Sequence, residues 1–167
     1  SAVQDIANTD PLSEQMNRKA FLNAFNEMPF RENQTRALIM IDIDHFKNIN
    51  DRYGHAIGDE VIATVARITR EAIRENDLVG RLGGEEFGVL IVHDDKEGVN
   101  AVCERIRQRI EIAQVSESEP ELRVTVSIGN LVHERKEAFA SLYRFVDQLL
   151  YMAKNSGRNR VVSASFG

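Results

Sequence analysis

Apolar positions follow two rhythms along this chain. Between Asn17 and Met28, the residues Ala20, Phe21, Ala24, Phe25 and Met28 share one helical face, and Pro29 stops the helix. The same spacing predicts a helix from about Asp59 to Ile73, carried by Val61, Val65, Ile68 and Ala72. It predicts another from about Gly98 to Ala113 through Val99, Val102, Ile106 and Ile110. Phe139, Leu142, Val146, Leu149, Leu150 and Ala153 mark a last long helix. The second rhythm is that of strands. Ala37 to Ile43 is a continuous apolar run interrupted only by Asp42, which reads as a buried central strand. Leu78 to Leu82 and Phe87 to Val92 flank a glycine pair and read as a β-hairpin. Leu122, Val124, Val126 and Ile128 alternate with Arg123, Thr125 and Ser127, a half-buried strand that Gly129 is expected to end. Val161 and Val162 suggest a closing strand.

The stretch from His45 to Asp59 is polar and reads as irregular, and Ser116 to Glu121 as a solvated loop. Residues 1–9 resemble the end of a linker, which leaves residues 10–167 as one domain. The order α-β-α-β-β-α-β-α-β favours a single, mostly antiparallel sheet with helices on its faces. The fold class expected is α/β or α+β.

Composition narrows the function more than the fold. The chain has 167 residues, 43% of them hydrophobic, and contains no apolar run near the ~20 residues that span a membrane. The lone Cys103 excludes an internal disulfide framework and fits a reducing compartment. Its place on an amphipathic helix suits packing better than nucleophilic chemistry. No secretory leader is visible, so the expected location is the cytoplasm, with a membrane anchor conceivable in segments outside these residues. A net charge of −5 argues against broad nucleic-acid binding. An anionic ligand therefore needs local cations or a metal.

The chemistry concentrates at Gly83-Gly84-Glu85-Glu86-Phe87. Two adjacent carboxylates repel unless a cation lies between them. The glycines leave backbone bare for a bulky anion to approach. Taken alone, the turn reads equally as a solvated bend with incidental glutamates. Asp42 and Asp44 lie two apart and project to the same side of a regular strand. An EF-hand loop is excluded, because Lys47 stands where that loop needs glycine. The histidines at 45, 55, 93 and 133 lack zinc spacing, and neither a P-loop nor a dinucleotide fingerprint is present. There remain Asp42 at a strand end and Glu85 with Glu86 on a hairpin. These carboxylates suit Mg²⁺, which shares its coordination sphere with phosphates.

The glycine–glutamate turn resembles the name-giving motif of the GGDEF family, the diguanylate cyclases, with glutamate in its third position. Asp42-Ile43-Asp44-His45-Phe46-Lys47-Asn48-Ile49-Asn50-Asp51, followed by Gly54-His55 and Gly58-Asp59, is similar to the family's long second motif. Asp10-Pro11-Leu12 with Asn17-Arg18 resembles its opening motif, and Lys154 with Gly157-Arg158-Asn159-Arg160 its closing one. The similarity spans residues 10 to 162.

That resemblance implies a palm-like nucleotidyl cyclase fold and an enzyme, found in bacterial second-messenger signalling, that joins two GTP into cyclic di-GMP with release of two pyrophosphates. It implies that Asp42, the Ile43 carbonyl, Glu85 and Glu86 hold Mg²⁺ (or Mn²⁺), with Glu85 and Glu86 catalytic and Glu85 the favoured base. Asn50 and Asp59 would read guanine, since a carboxylate accepts the N1–H and N2–H pair that adenine lacks. His55, Gly83 and Gly84 would neighbour the nucleotide, and Lys154 and Arg158, with the Phe46-Lys47 backbone, would take the phosphates. Simpler readings exist: a helix N-cap for Asp59, a structural histidine, and a basic pair complementing a helix C-terminus.

Arg74-Glu75-Asn76-Asp77 stands where many family members carry an inhibitory Arg-x-x-Asp motif, and Arg105 resembles a further contact. These residues would bind cyclic di-GMP, although a surface ion pair gives the same pattern. One domain holds one GTP, so turnover implies a homodimer, with an upstream sensory or receiver region supplying the contact. The chain departs from the family at Leu12-Ser13-Glu14-Gln15, where Leu-Thr-Gly-Leu is usual. A catalytically silent module that binds GTP or cyclic di-GMP is the alternative; retention of the glycines and acids favours the enzyme.

Overall fold

The computed structural model of the chain describes residues 2–31, 33–92 and 95–166; the outermost residues of the 1–9 and 10–167 segments and His93 lie outside these. Its elements are α1 (Ala2–Asn8), α2 (Arg18–Glu27), β1 (Arg36–Ile43), α3 (Phe46–Tyr53), α4 (His55–Glu71), β2 (Leu78–Gly83), β3 (Glu86–Val92), α5 (Lys96–Ile112), β4 (Val126–His133), α6 (Phe139–Asn155) and β5 (Arg160–Phe166). The strands form one sheet in the order β2-β3-β1-β4-β5, antiparallel except for the β4–β5 pair. This is the single, mostly antiparallel sheet that the order of elements implied.

The sheet is organised by β1. All eight of its residues are buried, which is why the sequence reads there as a run rather than an alternation. Its side chains alternate between two cores. Ala37, Ile39, Ile41 and Ile43 enter the larger one, with Val61, Val65 and Ile68 of α4 and Val99, Ile106 and Ile110 of α5. Leu38 and Met40 face the other, with Phe21 and Phe25 of α2 and Phe139, Leu142, Val146 and Leu150 of α6. Each fully buried aliphatic or aromatic side chain contributes roughly 1.5–3 kcal/mol, so a central strand clad on both sides is the rigid part of the molecule. No helix among the described residues is long and apolar enough to cross a membrane.

Several boundaries differ from the sequence expectation. The stretch from His45 to Asp59 is helical rather than irregular. Phe46 and Ile49 bury one side of α3, and Gly54, at φ 90°, separates it from α4. The first turn of α4 is thus at His55, which puts Asp59 inside the helix and removes its N-cap reading. Residues 2–8, read as linker, form α1, tied down where the Asn17 side chain donates to the Ala7 carbonyl at 2.8 Å. Ser116 is buried, its hydroxyl donating to Glu60 at 2.9 Å, although the five residues after it are exposed.

The largest difference concerns β4. It begins at Val126, not Leu122, and runs through Gly129 to His133, with every residue buried. Gly129 is no strand end; it is where α6 lies against the sheet. A Cβ there would meet the Leu150 amide nitrogen at 2.6 Å and the Val146 carbonyl oxygen at 2.9 Å. Both are helix backbone and cannot step aside. Gly129→Ala is expected to cost about 2–3 kcal/mol and to lower Tm by about 5–10 °C. Gly83→Ala, where a Cβ meets nothing within 4 Å, leaves Tm unchanged. Thermal denaturation of the two variants side by side checks the contrast.

Candidate active site

The hairpin tip closes on the end of β1. Asp42 stands opposite Glu86 in the β1–β3 register and opposite Ser127 in the β1–β4 register. One residue on, the Ile43 amide donates to the Glu85 carbonyl at 3.3 Å. Asp42, Ile43, Glu85 and Glu86 therefore meet at one corner of the sheet. The turn between β2 and β3 is open on its glycine side: no atom lies within 4 Å of a Cβ built on Gly83 or Gly84, and Gly84 sits at φ 37°. The turn is braced from behind by a residue that the sequence reading did not single out. Arg81 Nε donates to the Gly84 carbonyl at 2.8 Å, while its Nη1 pairs with Asp10 at 3.3 Å.

Charge at this corner is under stress. Asp42 is 8% exposed, and burial pushes its carboxyl up. The Lys154 ammonium, 2.5 Å from Oδ2, opposes that shift, while Glu85 and Asp44 add to it; the net direction is up. Glu86 is also pushed up, first by burial and then by Asp42 and Asp147, against Lys154 and a Tyr143 hydroxyl that donates to Oε1 at 3.4 Å. Two facing carboxylates that resist ionisation are the donor chemistry a hard cation neutralises. Among the described residues, no three acidic, histidine or cysteine side chains form a ready-made cage. The Ile43 carbonyl and oxygens of a ligand would have to complete the sphere. That fits Mg²⁺, which takes one or two carboxylates together with phosphate oxygens.

The other expected residues lie on α3, α4, α6 and the loop after α6, and of these Lys154 reaches Asp42 directly. His45, at φ 56°, turns the chain into α3, whose first turn carries Phe46 and Lys47 and has no side-chain cap. Asn50 lies against Gly58, where a Cβ would come within 1.9 Å of Oδ1, and that oxygen is buried without a partner. His55 and Asp59, one turn apart on α4, are both exposed. Lys154 lies in the last turn of α6. Arg158 is exposed in the loop beyond, its amide donating to the Ala153 carbonyl at 3.0 Å. Arg158 and Asn159 hold φ 63° and 47°, strain of about 1–3 kcal/mol each that the surroundings must offset.

Asp44 departs from its sequence reading as a twin of Asp42. It is buried and accepts from the Thr125 and Ser127 hydroxyls, both at 2.6 Å, and from the Asn159 amide at 3.0 Å. The two hydroxyls, read as the polar side of a half-exposed strand, face a carboxylate instead. Only the β1–β4 pairing reveals that.

A second cluster lies apart from this corner. Arg74, Asp77 and Arg105 converge with Ala72, Gly98 and Val102 around a cleft of about 220 Å³. Asp77 is 3% exposed and organises the loop: Oδ2 accepts from the Arg74 amide at 3.0 Å and Oδ1 from the Val92 amide at 3.1 Å. Arg105 reaches across from α5 to the Ala72 carbonyl at 2.7 Å. The three residues singled out in the sequence thus share one cleft, with the two arginines its exposed members.

Comparison with known proteins places this geometry in context. The family description "Diguanylate cyclase, GGDEF domain" matches residues 7–160. The chain is 42% identical over 165 residues to "Probable diguanylate cyclase DgcT" of Escherichia coli K12, covering 95% of this chain and 36% of that protein. It is 46% identical over 131 residues to "Diguanylate cyclase DgcM" of the same organism, covering 78% of this chain and 31% of that one. It therefore spans about a third of the length of these relatives. Among solved structures, the coiled coil and GGDEF domain of DgcB from Caulobacter crescentus, in complex with c-di-GMP, superposes with a TM-score of 0.89 at 33% identity, covering 98% of this chain and 88% of that one. An acidic hairpin docked on a buried aspartate, a palm-like sheet and matches across nearly the whole chain agree: the chain belongs to the GGDEF family of diguanylate cyclase domains.

Proposed function

We propose that this domain condenses two GTP molecules into cyclic di-GMP, with Mg²⁺ held at the corner of Asp42 and Glu86. The observation that carries the reading is the facing pair itself, a buried Asp42 and a half-buried Glu86, both pushed up, with Lys154 paired to Asp42. The ion would be held by Asp42, the Ile43 carbonyl, Glu85 and Glu86, and would polarise the α-phosphate oxygens and stabilise charge developing there. Mn²⁺ suits the same oxygen donors.

In each half-reaction the 3′-oxygen of one GTP bonds to the α-phosphorus of the other, and the bond from that phosphorus to the pyrophosphate oxygen breaks. The hydroxyl proton passes to Glu85, at the solvent-facing turn; Glu86 completes the acidic pair. Asp59 accepts the guanine N1–H and N2–H, Asn50 supports it, and His55 flanks the nucleotide. Gly83 and Gly84 admit the phosphates close to backbone, and the first turn of α3 at Phe46 and Lys47 offers amide donors. Lys154 and Arg158 take phosphate charge. One domain holds one GTP, so two copies must face each other, brought together by a region outside these residues. Arg74 and Arg105, organised by Asp77, bind the product and restrain turnover. Incubation of concentrated protein with GTP and Mg²⁺, followed by nucleotide chromatography, tests the activity. Wild type is expected to form cyclic di-GMP and pyrophosphate, and Glu85→Ala to lose at least ~10³-fold in rate. Equal silence from both would leave a nucleotide-binding module in its place.

Cation binding has a readout apart from turnover. A carboxyl whose folded pKa lies above its unfolded value destabilises the fold where it must ionise, and that penalty fades as pH falls through the folded pKa. Glu86→Gln is therefore expected to raise the Tm of metal-free protein by about 2–4 °C at pH 7 and to give no gain near the carboxyl range. Mg²⁺ raises the Tm of wild type at pH 7, and the variant loses that shift. Calorimetric scans with and without the ion check both signs.

Product binding is tested separately. Arg74→Ala is expected to weaken cyclic di-GMP affinity at least ~10-fold by titration calorimetry, without lowering the initial rate of GTP turnover. Unchanged affinity would take the product site elsewhere.

A further inference from the structure

The strained loop after α6 has more holding it than a chain reversal needs. Gly157, Arg158 and Asn159 all lie at positive φ, at 125°, 63° and 47°. A turn whose only task was to lead α6 into β5 would carry glycine or a relaxed conformation at 158 and 159 as it does at 157. Here Asn159 is bonded through its amide and its side chain to distant parts of the fold. Its amide donates to Asp44 Oδ2 at 3.0 Å, its Oδ1 accepts from Arg107 Nη1 at 3.0 Å, and its Nδ2 donates to Glu111. Arg107 is itself fixed by Glu104, 2.9 Å away, and by Glu111 at 3.8 Å. Asp44 is fixed by Thr125 and Ser127. The residue between Gly157 and Asn159 in this frame is Arg158, and Arg160 Nε donates to its carbonyl at 3.1 Å.

We infer that Asp44, Asn159 and Arg107 form a positioning clamp that sets the Arg158 guanidinium for the triphosphate of the bound nucleotide. Asp44 is thereby a positioning residue, not a metal ligand. This deepens the reading of Arg158 as a phosphate contact and rests on it. Two segments remote in sequence bond the loop directly, Asp44 just past β1 and the C-terminal half of α5, and Asp44 links it in turn to Thr125 and Ser127 at the start of β4. Asp44 ties the loop to the residue that directly follows the strand carrying Asp42, so phosphate charge and metal ligands are held to one rigid body. A guanidinium on a long side chain gains binding strength when its backbone is fixed beforehand, because less freedom is lost on contact.

The test measures binding of 3′-deoxy-GTP, which cannot cyclise, to the whole chain in Mg²⁺, well below each variant's Tm. Arg158→Ala and Asp44→Asn are each expected to weaken it about tenfold, and the double variant no more than either alone. Arg107→Leu loses one tie and weakens it about threefold. Asn159→Gly, which suits positive φ and keeps the amide that Asp44 accepts, does the same, so the test stands if Asp44→Asn fails to fold. The Mg²⁺-induced rise in Tm persists in Asp44→Asn. Loss of that rise would make Asp44 a metal ligand and overturn the clamp. So would a lowered Tm with unchanged affinity, or affinity losses that multiply in the double variant. If Arg158→Ala alone leaves binding intact, the phosphate reading itself fails and the clamp has nothing to position. If Arg158→Ala weakens binding while Arg107→Leu and Asn159→Gly do not, the clamp alone fails.

Discussion

The constraint on which this domain turns is a carboxylate pair that the sheet forces together. Asp42 and Glu86 are register partners on adjacent antiparallel strands, so neither can withdraw without breaking the pairing of β1 with β3. Like charges directly opposite in a sheet are destabilising, and burial adds to that cost. The fold can carry it because β1 is clad on both faces by apolar residues. Rigidity in the strand and repulsion at its end have one source. A strand that could slip would relax the pair and lose any reason to take up a cation.

Asp42 and Asp44 show how little in sequence separates a carboxylate that faces another acid from one that neutral donors hold. Both are buried and stand two residues apart. Asp42 ends inside the ladder, opposite another acid, with a single lysine for compensation. Asp44 falls just past the strand, among two hydroxyls and a backbone amide, and its own amide donates to the Thr125 carbonyl at 2.9 Å. Neutral donors stabilise a carboxylate by filling its lone-pair sites, which leaves few of them open to a ligand. The difference lies wholly in what β4 and the loop after α6 place opposite each residue.

Legibility followed the range of the interactions. The unbroken apolar run of β1, the glycine pair of the hairpin and the periodicity of α2, α5 and α6 are local patterns, and each appears in the structure near its expected place. The acidic corner was readable because both of its halves end apolar strands. Two kinds of feature were not readable. α3 is short and polar, and only Phe46 and Ile49 bury it, so its helical spacing is too brief to stand out from loop. In sequence Gly129 reads as a stop because glycine usually punctuates strands; what it serves is the close approach of α6, which exists only in three dimensions. The partners of Asp44, Asn159 and Arg81 are long-range for the same reason.

At the opening motif, local rules yield to tertiary context. Glu14 stands where the family has glycine, and it holds φ 62°, the left-handed conformation that glycine adopts at little cost. The turn keeps its shape because Asp10 spans it: the Glu14 amide donates to the Asp10 carbonyl, and the Ser13 amide to the Asp10 side chain, both at 2.8 Å. The same Asp10 pairs with Arg81, which grips the Gly84 carbonyl. The backbone of Met16 joins the sheet beside it, accepting from the Arg81 amide at 2.8 Å. The segment after α1 is thus bonded, link by link, to the turn that carries Glu85. Loss of the glycine strains that segment but does not uncouple it, because the bonds that fix the hairpin involve Asp10 and Arg81 rather than the side chain at position 14.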